Sequence, residues 1–219
     1  MKKFIPQNIV AHSIIIFILA LFFATPSYAH TEEELLRKYV TNLINDGYKL
    51  FNNAKISKAE RDKKSAQLLK DNLYLEWMAK YSLGRHRRTL TDDKINEFVL
   101  VYSKFVVKAY VDLTHHYNGE KARLKMVKQV DDDMFLVNME ILTPGSNSPI
   151  RVDYLVHQLE NQKNQPFKVA DIITEGISIL NSQQAEFNNV ISSQGIDALI
   201  ADLEAKANRD AGALKKVRY

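Results

Sequence analysis

The sequence predicts an α+β fold, with helices packed on a twisted, mostly antiparallel sheet of four to five strands that encloses an apolar cavity. Three observations predict it. Apolar residues recur at helical spacing from residue 30 to about 117, the period changes to two from Lys121 to Asp171, and helical spacing returns to about residue 207. Short connections between consecutive strands imply antiparallel pairing, because a parallel neighbour needs a long crossover.

The first helix is expected from Leu35, Leu36, Tyr39, Val40, Leu43, Ile44 and Leu50. Ser57-Lys58-Ala59-Glu60 has the form of a capping box opening a second helix. A third runs from about Asn72 to Leu83 and stops at Gly84. Thr91 followed by Asp92 and Asp93 starts a long helix to about Tyr117, with Ile95, Phe98, Val99, Tyr102, Phe105, Val106, Ala109 and Leu113 on one stripe. Strands follow. Phe135, Val137, Met139 and Ile141 share one face of the second, and Ile150, Val152, Tyr154 and Val156 one face of the third. Pro144 to Pro149 is a turn, and Phe167 to Ile173 is the fourth strand. Two helical segments close the fold, Ile177 to Ile191 and Ile196 to Leu203, before a polar tail from Asn208 to Tyr219.

The N-terminus reads as a secretory leader. Lys2 and Lys3 precede an apolar stretch, Ile14 to Phe23, and Ser27-Tyr28-Ala29 supplies small residues for cleavage after Ala29. Ten apolar residues reach only about 15 Å as a helix, half of a hydrocarbon core. The expected organisation is therefore a leader over 1–29, a single domain over 30–207 and a tail over 208–219, exported to the periplasm. The leader holds two lysines and no acid, so the formal charge of +4 falls to +2 after cleavage. That weak charge does not favour a nucleic-acid partner. The densest basic run, Arg85-His86-Arg87-Arg88, reads as a solvated helix end or loop. There is no cysteine, which excludes thiol catalysis and cysteine-ligated metals.

No catalytic constellation emerges, and no cofactor or metal is expected. His115 and His116 are adjacent, so on a helix they diverge by about 100° and cannot chelate one ion together. Asp131-Asp132-Asp133 lacks the glycine and terminal glutamate of a calcium loop and reads as a turn. Asp153, Asp171 or Glu175 would serve as acid or base only if aimed into a cavity. The mature chain is instead rich in bulky apolar side chains, which fit either a filled core or an apolar pocket.

Pro149-Ile150-Arg151-Val152-Asp153-Tyr154, then Phe167-Lys168-Val169-Ala170-Asp171-Ile172-Ile173-Thr174-Glu175-Gly176-Ile177-Ser178, then Gly195-Ile196-Asp197-Ala198-Leu199 resemble the C-terminal half of the MlaC family of toluene-tolerance proteins. Leu83-Gly84-Arg85 and Phe105-Val106-Val107-Lys108-Ala109-Tyr110 stand in that family's order in the helical half. The resemblance implies a periplasmic shuttle, not an enzyme, and with no coiled-coil seam in the sequence a monomer is expected. It would carry a phospholipid from an outer-membrane lipoprotein complex to an inner-membrane ABC transporter and so maintain outer-membrane lipid asymmetry. A carrier of another lipid such as a hopanoid, an enzyme on a cone-shaped α+β fold using Asp153 or Asp171 as base, and an adaptor with a filled core are the alternatives. The family usually has Trp where Phe167 stands and an aromatic residue at Ala170, so a pocket of different width is expected here. For a lipid carrier, Trp77, Tyr81, Phe98, Tyr102 and Phe105 on the helices, with Val137, Val152 and Ile172 on the strands, are expected to line the cavity. Arg151 and Tyr154 are placed at its mouth, with Arg151 meeting a phosphate or, equally, facing solvent.

Overall fold

The computed structural model describes residues 28–160 and 166–209. The leader up to Ser27 and the tail beyond Arg209, both expected from the sequence, lie outside the described residues.

Helix α1 spans Tyr28–Phe51, α2 Lys58–Asn72 and α3 Leu75–Ser82. A 3₁₀ turn, Gly84–Arg88, leads to α4, Asp92–Thr114. The capping box expected at Ser57 forms, with Ser57 Oγ accepting from the Glu60 backbone N–H at 3.2 Å, and Thr91 caps α4 through Lys94 N–H at 3.3 Å. Gly84 ends the α3 segment with φ +52°.

The strands are β1 Lys121–Asp131, β2 Met134–Leu142, β3 Ile150–Gln158, β4 Phe167–Thr174 and β5 Ile177–Ser178, followed by α5 Ile179–Gln194 and α6 Ile196–Asn208. They form one antiparallel sheet in the order β1-β2-β3-β4-β5. β5 is too short to leave a period in the sequence, but its turn is legible in retrospect. Glu175 and Gly176 both have positive φ, 50° and 84°, as the tight two-residue hairpin between β4 and β5 requires.

The helices dock on the sheet at two places. α1 runs along β1, and its side chains satisfy that edge strand's backbone: Tyr48 Oη accepts from Ala122 N–H, and Glu33 Oε1 accepts from Gln129 N–H at 3.0 Å. α2, α3 and α5 meet the sheet chiefly along β4, where Leu73 adds an isolated bridge to Val169. Two apolar clusters result. One, built around Phe98, Tyr102, Phe187 and Leu203, fills the helical half; the other, with Leu36, Phe135, Val137, Met139, Val156 and Phe167, lies between α1 and the sheet. Val169 touches both.

Candidate functional site

The apolar face of α1 explains where the site is. Leu36, Tyr39, Val40, Leu43 and Ile44 follow the i, i+3, i+4 spacing of one stripe, and that stripe turns toward the sheet. Facing it are Ala122 of β1, Val137 and Met139 of β2, Tyr154 and Val156 of β3 and Val169 of β4. Alternation puts these strand residues on one side, and Val137 stands directly opposite Tyr154 in the β2–β3 register. Between stripe and sheet lies a hollow of ≈ 190 Å³ whose eleven lining residues include no charged one. A second hollow of ≈ 220 Å³, lined by Tyr48, Phe51, Tyr117 and Ile141, shares Ile44 and Ala122 with the first. The two extend along the length of α1.

Among the described residues few polar tethers hold α1 in place. Besides the two bonds to β1, Tyr39 Oη donates to Asn72 Oδ1, and Gln158 Nε2 donates to Glu32 Oε2 at 2.7 Å. The Tyr39 phenol is pushed up from its ordinary 10.0 to about 12, first by burial and second by the Asp71 carboxylate. Tyr102, Tyr110 and Tyr154 are raised as well, in each case chiefly by burial. Folded protein therefore keeps these protons at a pH where the unfolded chain has released them. The stabilisation is complete below the ordinary value of 10.0 and is lost as pH climbs through the folded values. Denaturant midpoints measured against pH are expected to hold level at neutrality and fall above pH 10, with Tyr39→Phe removing part of the drop between 10 and 12.

Val137, expected in a cavity lining, and Tyr154, expected at its mouth, both line the hollow under α1. Val152 and Ile172 share their face by register, opposite Met139 and Tyr154, but stand outside the lining. The expected helical wall is absent from it. Phe98 and Tyr102, both 0 % exposed, pack on Phe187 in the other cluster, and Phe105 packs against that cluster from its edge. Trp77 stacks between Tyr74 and Tyr81 with His157 against it, beside a separate surface concavity that includes Lys80 and Arg87. The physical reason is the docking of the helices on β4: the apolar stripe of α4 turns toward α3, α5 and α6. Arg151 lies on the opposite face from Val152, its side chain 64 % exposed and bonded to Asp153 Oδ2 at 2.7 Å. It points away from the hollow, as the solvent-facing alternative has it.

The carboxylates weighed as bases are engaged. Asp153 accepts from Asn138 Nδ2 and from Arg151. Asp171 Oδ1 accepts from the backbone N–H of Ile172 at 2.8 Å and of Leu180 at 3.0 Å, and Oδ2 accepts from Ser178 Oγ at 2.6 Å. Glu175 accepts from Arg151 N–H at 2.6 Å in the hairpin turn. Among the described residues no three His, Asp or Glu side chains converge as a metal site would need, and no helix is long and apolar enough to cross a membrane.

Sequence and structure comparisons agree with this architecture. The model of the MlaC protein family matches residues 41–205. The intermembrane phospholipid transport system binding protein MlaC of Haemophilus influenzae is 21% identical over 136 residues, 62% of this chain and 63% of that protein, so the likeness spans less than two thirds of the relative's length. A phospholipid-binding protein of Ralstonia solanacearum, solved in complex with a phospholipid, superposes with a TM-score of 0.63 at 17% identity, covering 77% of this chain and 94% of that one. That superposition extends the α+β fold to a solved relative.

Proposed function

This chain belongs to the MlaC family, and from that membership we propose that it is a phospholipid carrier of intermembrane lipid transport. The observation that carries the proposal is the uncharged hollow between α1 and the sheet, with Val137 and Tyr154 at its floor. The names of the two relatives point the same way.

Physical chemistry favours a carrier over a free-binding receptor. Two chains of about 16 carbons hold roughly 32 methylenes, and moving them from water to an apolar cavity gains about 26 kcal/mol as a gross figure. That exceeds the practical ceiling for non-covalent affinity, about 18 to 21 kcal/mol, so water is not the state from which cargo is taken. Bilayer to cavity is the relevant transfer, and there two apolar environments nearly cancel. Cargo would then stay bound in water and leave only at a membrane-bound partner. The hollow is smaller than the roughly 300–1,000 Å³ of ordinary ligand pockets, so two chains would require α1 to lift from the sheet. Its few polar tethers fit such a displacement.

The proposal extends to export to the periplasm after cleavage at Ala29, a single carrier domain over 30–207, and action as a non-catalytic monomer. Its partners would be an outer-membrane lipoprotein complex and an inner-membrane ABC transporter, with outer-membrane asymmetry as the outcome. Filling the hollow tests the cargo claim. Val137→Trp is expected to lower co-purifying phospholipid at least about tenfold at a cost of about 1–3 kcal/mol in stability. Val40→Phe, entering from α1, should act in the same direction if the first variant folds poorly. Unchanged lipid in either folded variant would remove the hollow from the account.

A further inference from the structure

We infer that the groove between α2 and α4 docks an acidic, amphipathic segment of a partner protein. The groove, of ≈ 520 Å³, shares no lining residue with the hollow under α1, so this inference does not depend on the lipid reading. Lys58, Lys63 and Lys70 enter it from α2, and Lys104 and Lys108 enter from α4. Its two carboxylates are already engaged. Asp62 pairs with His115 at 2.8 Å, and Asp112 with Lys108 at 2.5 Å. Among the described residues no carboxylate lies within 4.0 Å of Lys58, Lys63, Lys70 or Lys104.

Sequence explains the convergence. Lys58, Asp62, Ala66 and Lys70 recur every fourth residue on α2, and Lys104, Lys108 and Asp112 do so on α4, so each set forms one stripe. Packing α2 on α4 sets the stripes face to face. Like charges gathered this way repel, and among the described residues four of them have no carboxylate in direct contact. The whole chain carries only +4, so the concentration is local rather than a by-product of composition.

Shape selects the class of partner. Val107 and Val111, 6% and 7% exposed, lie at the floor between the lysines. A convex segment with a short apolar side chain flanked by carboxylates reaches that floor and the amines together. An anionic bilayer surface is flat and would touch only the protruding lysine tips. Opposed charges would also steer encounter, giving a strong dependence on ionic strength.

The test uses the full mature chain and a synthetic helical peptide carrying Glu at i, i+4 positions around Leu, with its Glu→Gln counterpart, read by fluorescence anisotropy. The Glu peptide is expected to bind and the Gln peptide to bind far more weakly. K63E/K104E should weaken the Glu peptide at least about tenfold and K63Q/K104Q by an intermediate factor. K121E/K128E, an exposed pair on β1, should leave it unchanged, and circular dichroism melts should be alike for all variants. No binding of the Glu peptide, equal weakening by the β1 pair, or binding of phosphatidylglycerol vesicles in place of the peptide would overturn the inference.

Discussion

Phe98→Ala is expected to lower stability by about 3–5 kcal/mol while leaving the phospholipid content of the folded protein unchanged. Phe98 is 0 % exposed and packs its ring against Tyr102 at 5.7 Å and edge-to-face on Phe187 at 6.1 Å between centroids. Truncation removes both aromatic contacts and leaves a void where α4, α5 and α6 meet, a site with little room to collapse. The two halves of the prediction separate two readings of one residue. If Phe98 formed the wall of a cargo cavity, the variant would change lipid content as well as stability. If it belongs to the helical cluster alone, only the denaturation midpoint moves. Urea denaturation combined with lipid extraction from the folded fraction checks both.

Asp171→Ala is the second large effect, expected at about 3 kcal/mol, with Asp171→Asn recovering only part of it. The residue is 7% exposed and holds three donors: the backbone N–H of Ile172, that of Leu180 and the Ser178 hydroxyl. Bonds to a charged acceptor contribute about 1.5–3 kcal/mol each when broken singly, less when lost together as a network. Ser178 in turn caps α5 by accepting from Asn181 N–H at 2.9 Å. Removing the carboxylate therefore loosens the end of β4, the cap of α5 and the first turn of that helix at once. Asparagine's carbonyl oxygen can keep both backbone N–H donors, but its NH2 group cannot accept from the Ser178 hydroxyl. Thermal denaturation of the two variants gives the measurement, and equal loss in both would mean that the charge, not the geometry, dominates.

That second prediction explains why the string Asp171 to Ser178 is so recognisable in sequence. Asp171 anchors, Ile172 and Ile173 continue the strand, Glu175-Gly176 makes the tight turn, and Ser178 starts the helix. Each position has a local reason for its residue type. Periodicity was equally legible for α1, α4 and the four longer strands, because each is long enough to show its repeat, while α2 was legible from its capping box. Position in space was not. A stripe such as Phe98-Tyr102-Phe105 says that one face of α4 is buried but not whether it meets the sheet or other helices. Placing Trp77, Tyr81, Phe98, Tyr102 and Phe105 in one cavity with Val137 assumed a single apolar interior, whereas the chain builds two.

What the sequence reading missed was nonetheless present in it. The α1 stripe of Leu36, Tyr39, Val40, Leu43 and Ile44 is purely apolar or aromatic, and it supplies five of the hollow's eleven lining residues. For Arg151 the reading left two placements open, and its alternation with Val152 is the argument for the exposed one, where Asp153 holds the guanidinium. The lysine groove could not be seen as a run, since its α2 and α4 residues stand some forty positions apart; only the packing of two stripes joins them. Charge clusters built by tertiary packing leave no local composition signal.

The most direct measurement is native mass spectrometry with lipid extraction on the chain purified without detergent from a periplasmic preparation. About one phospholipid per chain is the result expected of a carrier whose hollow lies between α1 and the sheet, and Val137→Trp should arrive empty from the same preparation. Wild-type protein that is well folded, melts cooperatively and carries no lipid would contradict it.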